Sequence, residues 1–256
     1  MIMELFNLDN KIAIVTGCSS LKGIGYSIAE GLAEAGADIA GVARSDLSEV
    51  KKSIESNTGK KFLKIQVDLL EEESINKIVE EALAKYGQID ILVNNAGIIR
   101  RHPILDFPVK DWDDVLTVNL RSLFLLSQKT AKYFIENNIK GKIINIVSML
   151  SYQGGAFVPS YTASKHAVAG ITKSFCNELA AKNINVNAIA PGYIATNNTA
   201  PLRQDKKRSE NILNRIPAGR WGKNEDLKGT AIFLASKASN YMNGAIVPVD
   251  GGWLSS

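Results

Sequence analysis

Apolar residues along this chain gather into short unbroken runs separated by longer stretches of helical period. The runs are Lys11–Thr16, Ala37–Ala43, Phe62–Val67, Ile89–Val93, Gly141–Val147, Asn185–Ala190 and Ala245–Val249. Strands that are apolar throughout, instead of alternating with polar residues, belong to a sheet covered on both faces. Between them the pattern predicts helices over Tyr26–Ala35, Leu47–Asn57, about Glu71 to Tyr86, Trp112–Asn138 opened by Asp111, a segment through Tyr161 and Lys165 to about Ala181, and Glu225–Ala235. Gly36 and Gly87 supply two of the stops. Strands and helices that alternate in this way predict an α/β fold on a parallel sheet. No linker, composition shift or internal repeat divides the chain, so a single domain over 1–256 is expected.

The ends of the runs carry the polar chemistry. Gly17-Cys18-Ser19-Ser20-Leu21-Lys22-Gly23-Ile24-Gly25 lies between the first strand and the first helix. Glycines there let the backbone come close to a phosphate, and the helix start offers free N–H groups with a favourable dipole. Arg44 ends the second strand with no acid before Asp46, so it can meet a 2′-phosphate on a ribose. Asp68 ends the third, where it can meet an adenine amino group or cap the next helix. Asn94-Asn95-Ala96-Gly97 ends the fourth, in the crevice where open α/β sheets bind ligands. Asn119 sits within an apolar helical run and needs a partner, since burial without one costs about 1–3 kcal/mol.

Ser148 follows the fifth strand, and Tyr161 and Lys165 stand one turn apart on one helix face. A phenol titrates near 10, so proton exchange at neutral pH needs roughly 3 units, or about 4 kcal/mol, of help for its phenolate. A nearby ammonium gives part of that. Ser148 can bond the same substrate oxygen.

After Pro191-Gly192-Tyr193-Ile194-Ala195-Thr196 the rhythm breaks into a polar stretch, 197–223, rich in Arg and Lys. Its charges read as a solvated helix face, or as a mobile lid, about 193–223, that draws in an anion.

Composition adds exclusions. Hydrophobic residues at 45% and charged residues at 22% are ordinary for a folded globular chain. A net charge of +4 demands no nucleic-acid surface. Cys18 and Cys176 are too few and too far apart for a disulfide framework or a metal cluster, which fits a reducing cytoplasm, and no metal is expected. Met1–Asn10 lacks a long apolar run, so neither a secretory signal nor a presequence is expected, and no stretch is long enough for a membrane span.

The glycine turn, Asn94-Asn95-Ala96-Gly97, Asn119, Ser148, Tyr161-x-x-x-Lys165, Pro191-Gly192 and Asp250-Gly251-Gly252 together resemble the short-chain dehydrogenase/reductase superfamily over essentially the whole chain. The resemblance implies a doubly wound, Rossmann-type parallel sheet of seven strands with helices on both faces, and a nicotinamide dinucleotide, NAD or NADP, across the strand ends. It implies a catalytic tetrad in which Tyr161 is the acid/base, Lys165 holds the nicotinamide ribose, Ser148 orients the substrate and Asn119 anchors a relay water. The implied cofactor wall comprises Gly17, Ser19, Ser20, Gly23, Ile24, Gly25, Arg44, Asp68, Leu69, Asn95, Ala96, Gly97, Tyr161, Lys165, Pro191 and Gly192, with Ile194 and Thr196 at the carboxamide. The turn departs from the family pattern, with five residues instead of three between its first two glycines. A homotetramer is also implied, with Trp253 either in a subunit contact or buried within its own subunit.

Lys142–Gly155, Ala190–Thr199, Ile216–Gly222 and Arg100-Arg101 are similar, more narrowly, to the sugar-acid dehydrogenases that act on 2-dehydro-3-deoxygluconate. That resemblance implies a small anionic substrate and NAD, against the NADP suggested by Arg44. A sugar carboxylate wants an Arg, and Arg101, Arg203, Arg215 and Arg220 are candidates, with His102 and Gln153 for hydroxyls. Two alternatives stand beside it: a 3-oxoacyl-carrier-protein reductase or other carbonyl reductase of the same superfamily, and a dinucleotide-sensing protein without catalysis.

Overall fold

A computed structural model describes residues 2–256. Its seven strands are β1 (Ile12–Thr16), β2 (Asp38–Ala43), β3 (Phe62–Gln66), β4 (Ile91–Asn94), β5 (Lys142–Ile146), β6 (Asn185–Pro191) and β7 (Ile246–Val249). All are parallel, in the order β3-β2-β1-β4-β5-β6-β7. The helices are α1 (Ile24–Glu34), α2 (Ser48–Thr58), α3 (Glu73–Tyr86), α4 (Val109–Leu116), α5 (Ser122–Glu136), α6 (Pro159–Leu179), α7 (Ala200–Gln204), α8 (Lys206–Leu213) and α9 (Lys228–Ala235).

Alternation of side chains along each strand divides the core in two. Ala13, Val15, Ile39, Ile91, Val93, Ile144 and Ile146 face one layer, where Ile28 and Leu32 of α1 and Leu227, Ala231 and Leu234 at α9 meet them. Ile14, Ala40, Val42, Leu92 and Ile143 face the other, against Ile78 and Ala82 of α3 and Leu126 and Phe134 of α5. Both faces being covered explains why the strand runs carry no polar alternation.

The order reverses between β1 and β4, so the loops leaving these two strands part company and open a crevice at their carboxyl ends. Every strand end with expected chemistry lies on this edge. Asn94 does not face the crevice, however. Its amide is buried and donates to Ser127 Oγ and Asn145 Oδ1, both at 2.9 Å, while Asn145 donates to Thr172 Oγ1 at 3.0 Å. This chain of buried polar groups ties β4 and β5 to α5 and α6.

The helix expected over Trp112–Asn138 is interrupted. It starts at Val109 behind Pro108, and Thr117–Arg121 is a π turn between α4 and α5. Asp111 does not cap it; its carboxylate holds Arg100 at 3.4 Å and His102 at 2.7 Å. Trp253 is buried at 5% exposure within its own chain, the second of the two expected arrangements.

Candidate active site

A cleft of about 340 Å3 runs along the carboxyl edge of the sheet. Gly17, Ser20, Gly23, Ile24 and Gly25 wall one end, Asn95, Ala96 and Gly97 the middle, and Ser148, Tyr161, Lys165, Pro191, Gly192, Ile194 and Thr196 the other. Gly17 holds φ +71°, a left-handed conformation that favours glycine, and a Cβ there would lie 2.7 Å from Ala96 Cα. A Cβ on Gly25 would strike both Asn95 Nδ2 and the Gly17 carbonyl at 2.4 Å. Asn95 is the latch across this crossing, donating to the carbonyls of Thr16 and Gly17 at 2.9 Å. No side chain caps α1 and no acid stands in its first turn, so its N-terminus faces the cleft unneutralised. That arrangement suits a phosphate.

The lengthened turn resolves into inward and outward residues. Cys18 is fully buried, its Sγ 3.4 Å from the Val15 carbonyl, and burial pushes its thiol up to about 12. Ser20 reaches the wall, whereas Ser19 does not line it and Leu21 and Lys22 are exposed. Arg44, Asp68 and Leu69 stand beyond the cleft. Arg44 lies 3.7 Å from the Asp68 carboxylate with its side chain 73% exposed. Asp68 accepts from Leu70 N–H at 3.0 Å and leaves α3, which begins at Glu73, without a side-chain cap. Leu69 packs against the core.

At the far end the four expected catalytic side chains converge. Tyr161 and Lys165 rise from the first two turns of α6, which Pro159 opens. The Lys165 ammonium donates to the Ile146 carbonyl at 2.7 Å, and burial lowers its pKa to about 8. Burial raises the Tyr161 phenol, while its hydrogen bond with Ser148 and the Arg101 guanidinium both pull it down. Asn119, brought inward by the π turn, is fully buried; its amide donates to the Ile98 carbonyl at 3.0 Å and Ser164 Oγ at 3.2 Å and accepts from Ile98 N–H at 2.8 Å.

Beyond Ser148 and Tyr161 a second chamber of about 430 Å3 opens under α7 and α8. Arg101, Gln153, Tyr193, Asn198, Arg208, Asn211, Arg215 and Trp253 supply its polar and aromatic surface. Gln153 Oε1 accepts from the Trp253 indole N–H at 2.9 Å, and Arg215 stands 4.0 Å over the Trp253 ring. Three other expected substrate contacts lie elsewhere. His102 is engaged by Asp111 and rests edge-on against Phe107. Arg203 turns its guanidinium to the Thr196 carbonyl at 2.9 Å. Arg220 makes a bidentate pair with Asp226, at 2.7 and 3.1 Å, beside a different cavity. Arg208 was hidden in the charge run: it lies on α8 and Arg215 on the turn that follows it, so no single helical period links the two in the sequence.

A family model described as enoyl-(acyl carrier protein) reductase matches residues 17–254. The chain is 56% identical over 256 residues to a 2-dehydro-3-deoxy-D-gluconate 5-dehydrogenase from Dickeya dadantii, with 99% of each chain covered. Among solved structures it is similar to a gluconate 5-dehydrogenase from Burkholderia cenocepacia in complex with NADP and tartrate, at 38% identity, TM-score 0.94 and full coverage of both chains (100%). It is similar as well to a short-chain type dehydrogenase/reductase from Mycobacterium marinum, at 35% identity, TM-score 0.94 and 100% coverage of each.

Proposed function

The chain belongs to the short-chain dehydrogenase/reductase family, and from that premise we propose that it moves a hydride between a nicotinamide dinucleotide and a secondary hydroxyl or ketone of a sugar acid of the 2-dehydro-3-deoxygluconate or gluconate type. One observation carries the reading: Ser148 and Tyr161 belong to the walls of both the cleft and the chamber. A substrate oxygen bonded by both hydroxyls would therefore sit where the two spaces meet.

The glycine turn and the start of α1 would hold the dinucleotide's phosphates, with Arg44 at the adenosine end and Ile194 and Thr196 at the carboxamide. When bound, the dinucleotide gives or takes the hydride. The protein handles the proton. In the oxidising direction Tyr161, as phenolate, takes the proton of the substrate hydroxyl; in the reducing direction the phenol returns it to the ketone oxygen. Ser148 orients that oxygen and stabilises the phenolate. Lys165, fixed by Ile146, sets a positive charge beside the ring, and Asn119 braces the loop after β4 against α6. The segment 193–223 covers the chamber as a lid.

Arg44, without an acid beside it on β2, supports a preference for NADP, as in the solved relative with that cofactor. Assembly as a homotetramer accords with the less buried edge strand β7. Two free cysteines accord with a cytoplasmic setting. Among the described residues no helix is long and apolar enough to cross a membrane.

The test is reduced-nicotinamide absorbance with NAD and NADP in turn and a panel of gluconate, 2-deoxygluconate and 2-dehydro-3-deoxygluconate. Turnover with a sugar acid is expected. Its absence across the panel, with dinucleotide still bound, would overturn the substrate class. The family description names an enoyl-thioester reductase; an acyl-thioester reductase is thus the second reading, and reduction of a crotonyl or an acetoacetyl thioester in preference to every sugar acid would establish it.

A further inference from the structure

The chain has eight arginines. Arg44, Arg100, Arg121 and Arg220 are paired with Asp68, Asp111, Glu72 and Asp226. Arg101, Arg203, Arg208 and Arg215 make no ion pair among the described residues. Three of these four, all but Arg203, open onto the same chamber, and no Asp or Glu lines it. Unpaired cations brought together repel one another, and a concave site lined by one sign of charge draws in the opposite sign.

The three are not equivalent. Arg101, on the loop after β4, acts on the Tyr161 phenol and so stands at the reacting end. Arg208 and Arg215 both act on a different phenol, Tyr193, countering the upward push of its burial. Arg215 is held in place by its stack on Trp253. The ring is itself fixed, by Gln153 and by the Asp250 carboxylate, which accepts from the N–H groups of Gly252 and Leu254 at 2.9 Å. A guanidinium stacked by its face keeps its edge N–H groups free to grip a carboxylate in two places.

We propose that Arg208 and Arg215 form the site that reads the substrate's carboxylate, apart from the groups that exchange its proton. The inference rests on the sugar-acid reading. It adds that selection between acids and neutral alcohols resides on α8 and the turn after it.

The experiment compares the wild type with Arg208→Gln, Arg215→Gln and the double variant. It measures KM and kcat for D-gluconate and for a neutral vicinal diol. Each single change is expected to raise KM for gluconate about tenfold or more, with kcat nearly kept and the diol unaffected. Unchanged gluconate KM, or equal losses on both substrates, would overturn the assignment. A binding measurement separates this from failure of the sugar-acid reading: tartrate titrated against Trp253 fluorescence in a Trp112→Phe, Trp221→Phe background with NADP present. If no sugar acid is turned over, tartrate binding that the double variant abolishes still supports the carboxylate site. Absence of tartrate binding by the parent, or equal binding by the double variant, sinks it.

Discussion

The Lys165 ammonium donates to the carbonyl of Ile146 at 2.7 Å, and the Tyr161 ring centroid lies 5.6 Å from it. The lysine is thus tethered to the last residue of β5 with its ammonium over the Tyr161 ring. Buried as it is, it stays protonated only below about pH 8.

Tyr161→Phe keeps the ring and its packing and removes the proton that is exchanged. Turnover should fall by about 10²–10⁴ while dinucleotide affinity, read by calorimetry, stays within about twofold. Retained turnover would remove Tyr161 from the mechanism.

Lys165 also predicts a pH dependence. Its pKa is lowered from 10.5 to about 8, so it is charged below that pH and neutral above. KM for the dinucleotide should therefore climb as pH rises through 8. A flat profile from pH 7 to about 9.5 would show that the ammonium does not contribute to holding the cofactor.

Lys142, at the opposite edge of the sheet, allows a parallel test in stability. Its amine is bonded only to neutral groups, Asn185 Oδ1 at 2.9 Å, Asn240 Oδ1 at 3.0 Å and Ser239 Oγ at 3.4 Å, and burial brings its pKa down from 10.5 to about 8. Between those values the unfolded chain binds more protons than the folded one, so unfolding free energy should rise with pH from about 8 to 10.5, by something of the order of 3 kcal/mol. Lys142→Met should lose the share that Lys142 adds and keep that of Lys165, whose pKa burial lowers to about the same value. Chemical denaturation at pH 7 and pH 9.5 measures it.

Arg44 and Asp68 form an exposed pair at 3.7 Å, worth little to the fold. Arg44→Ala should leave the melting temperature unchanged and raise KM for NADP about tenfold, with KM for NAD unaffected. Equal effects on both cofactors would deny Arg44 a role at the 2′-phosphate.

Much of this was legible in the chain, for identifiable reasons. A sheet covered on both faces leaves continuous apolar runs, and each of the seven appears as a strand to within two residues at either end. The converging side chains were legible because strand ends and a single helix turn fix them locally: Ser148 follows β5, and Tyr161 and Lys165 share one face of α6. The substrate chamber was not, because its walls come from five distant stretches. Arg203, Arg208, Arg215 and Arg220 carry the same charge in the same polar segment, and only packing separates them. Arg220 meets Asp226, Arg203 turns to a carbonyl, and Arg208 and Arg215 keep their charges free. His102 was misplaced for a similar reason, as its partner Asp111 looked like a helix cap.

The π turn at Thr117–Arg121 bears on how this protein can change length. A helix is a screw that advances about 100° per residue. The wider turn resets the thread, so Asn119 points to Ile98 and Ser164 while Leu126 and Phe134, further along, point to the sheet. Deleting one residue there would rotate one half against the other and carry either the amide or the core residues out to water. Amino acids along this rod can drift; their number between Asn119 and Phe134 cannot.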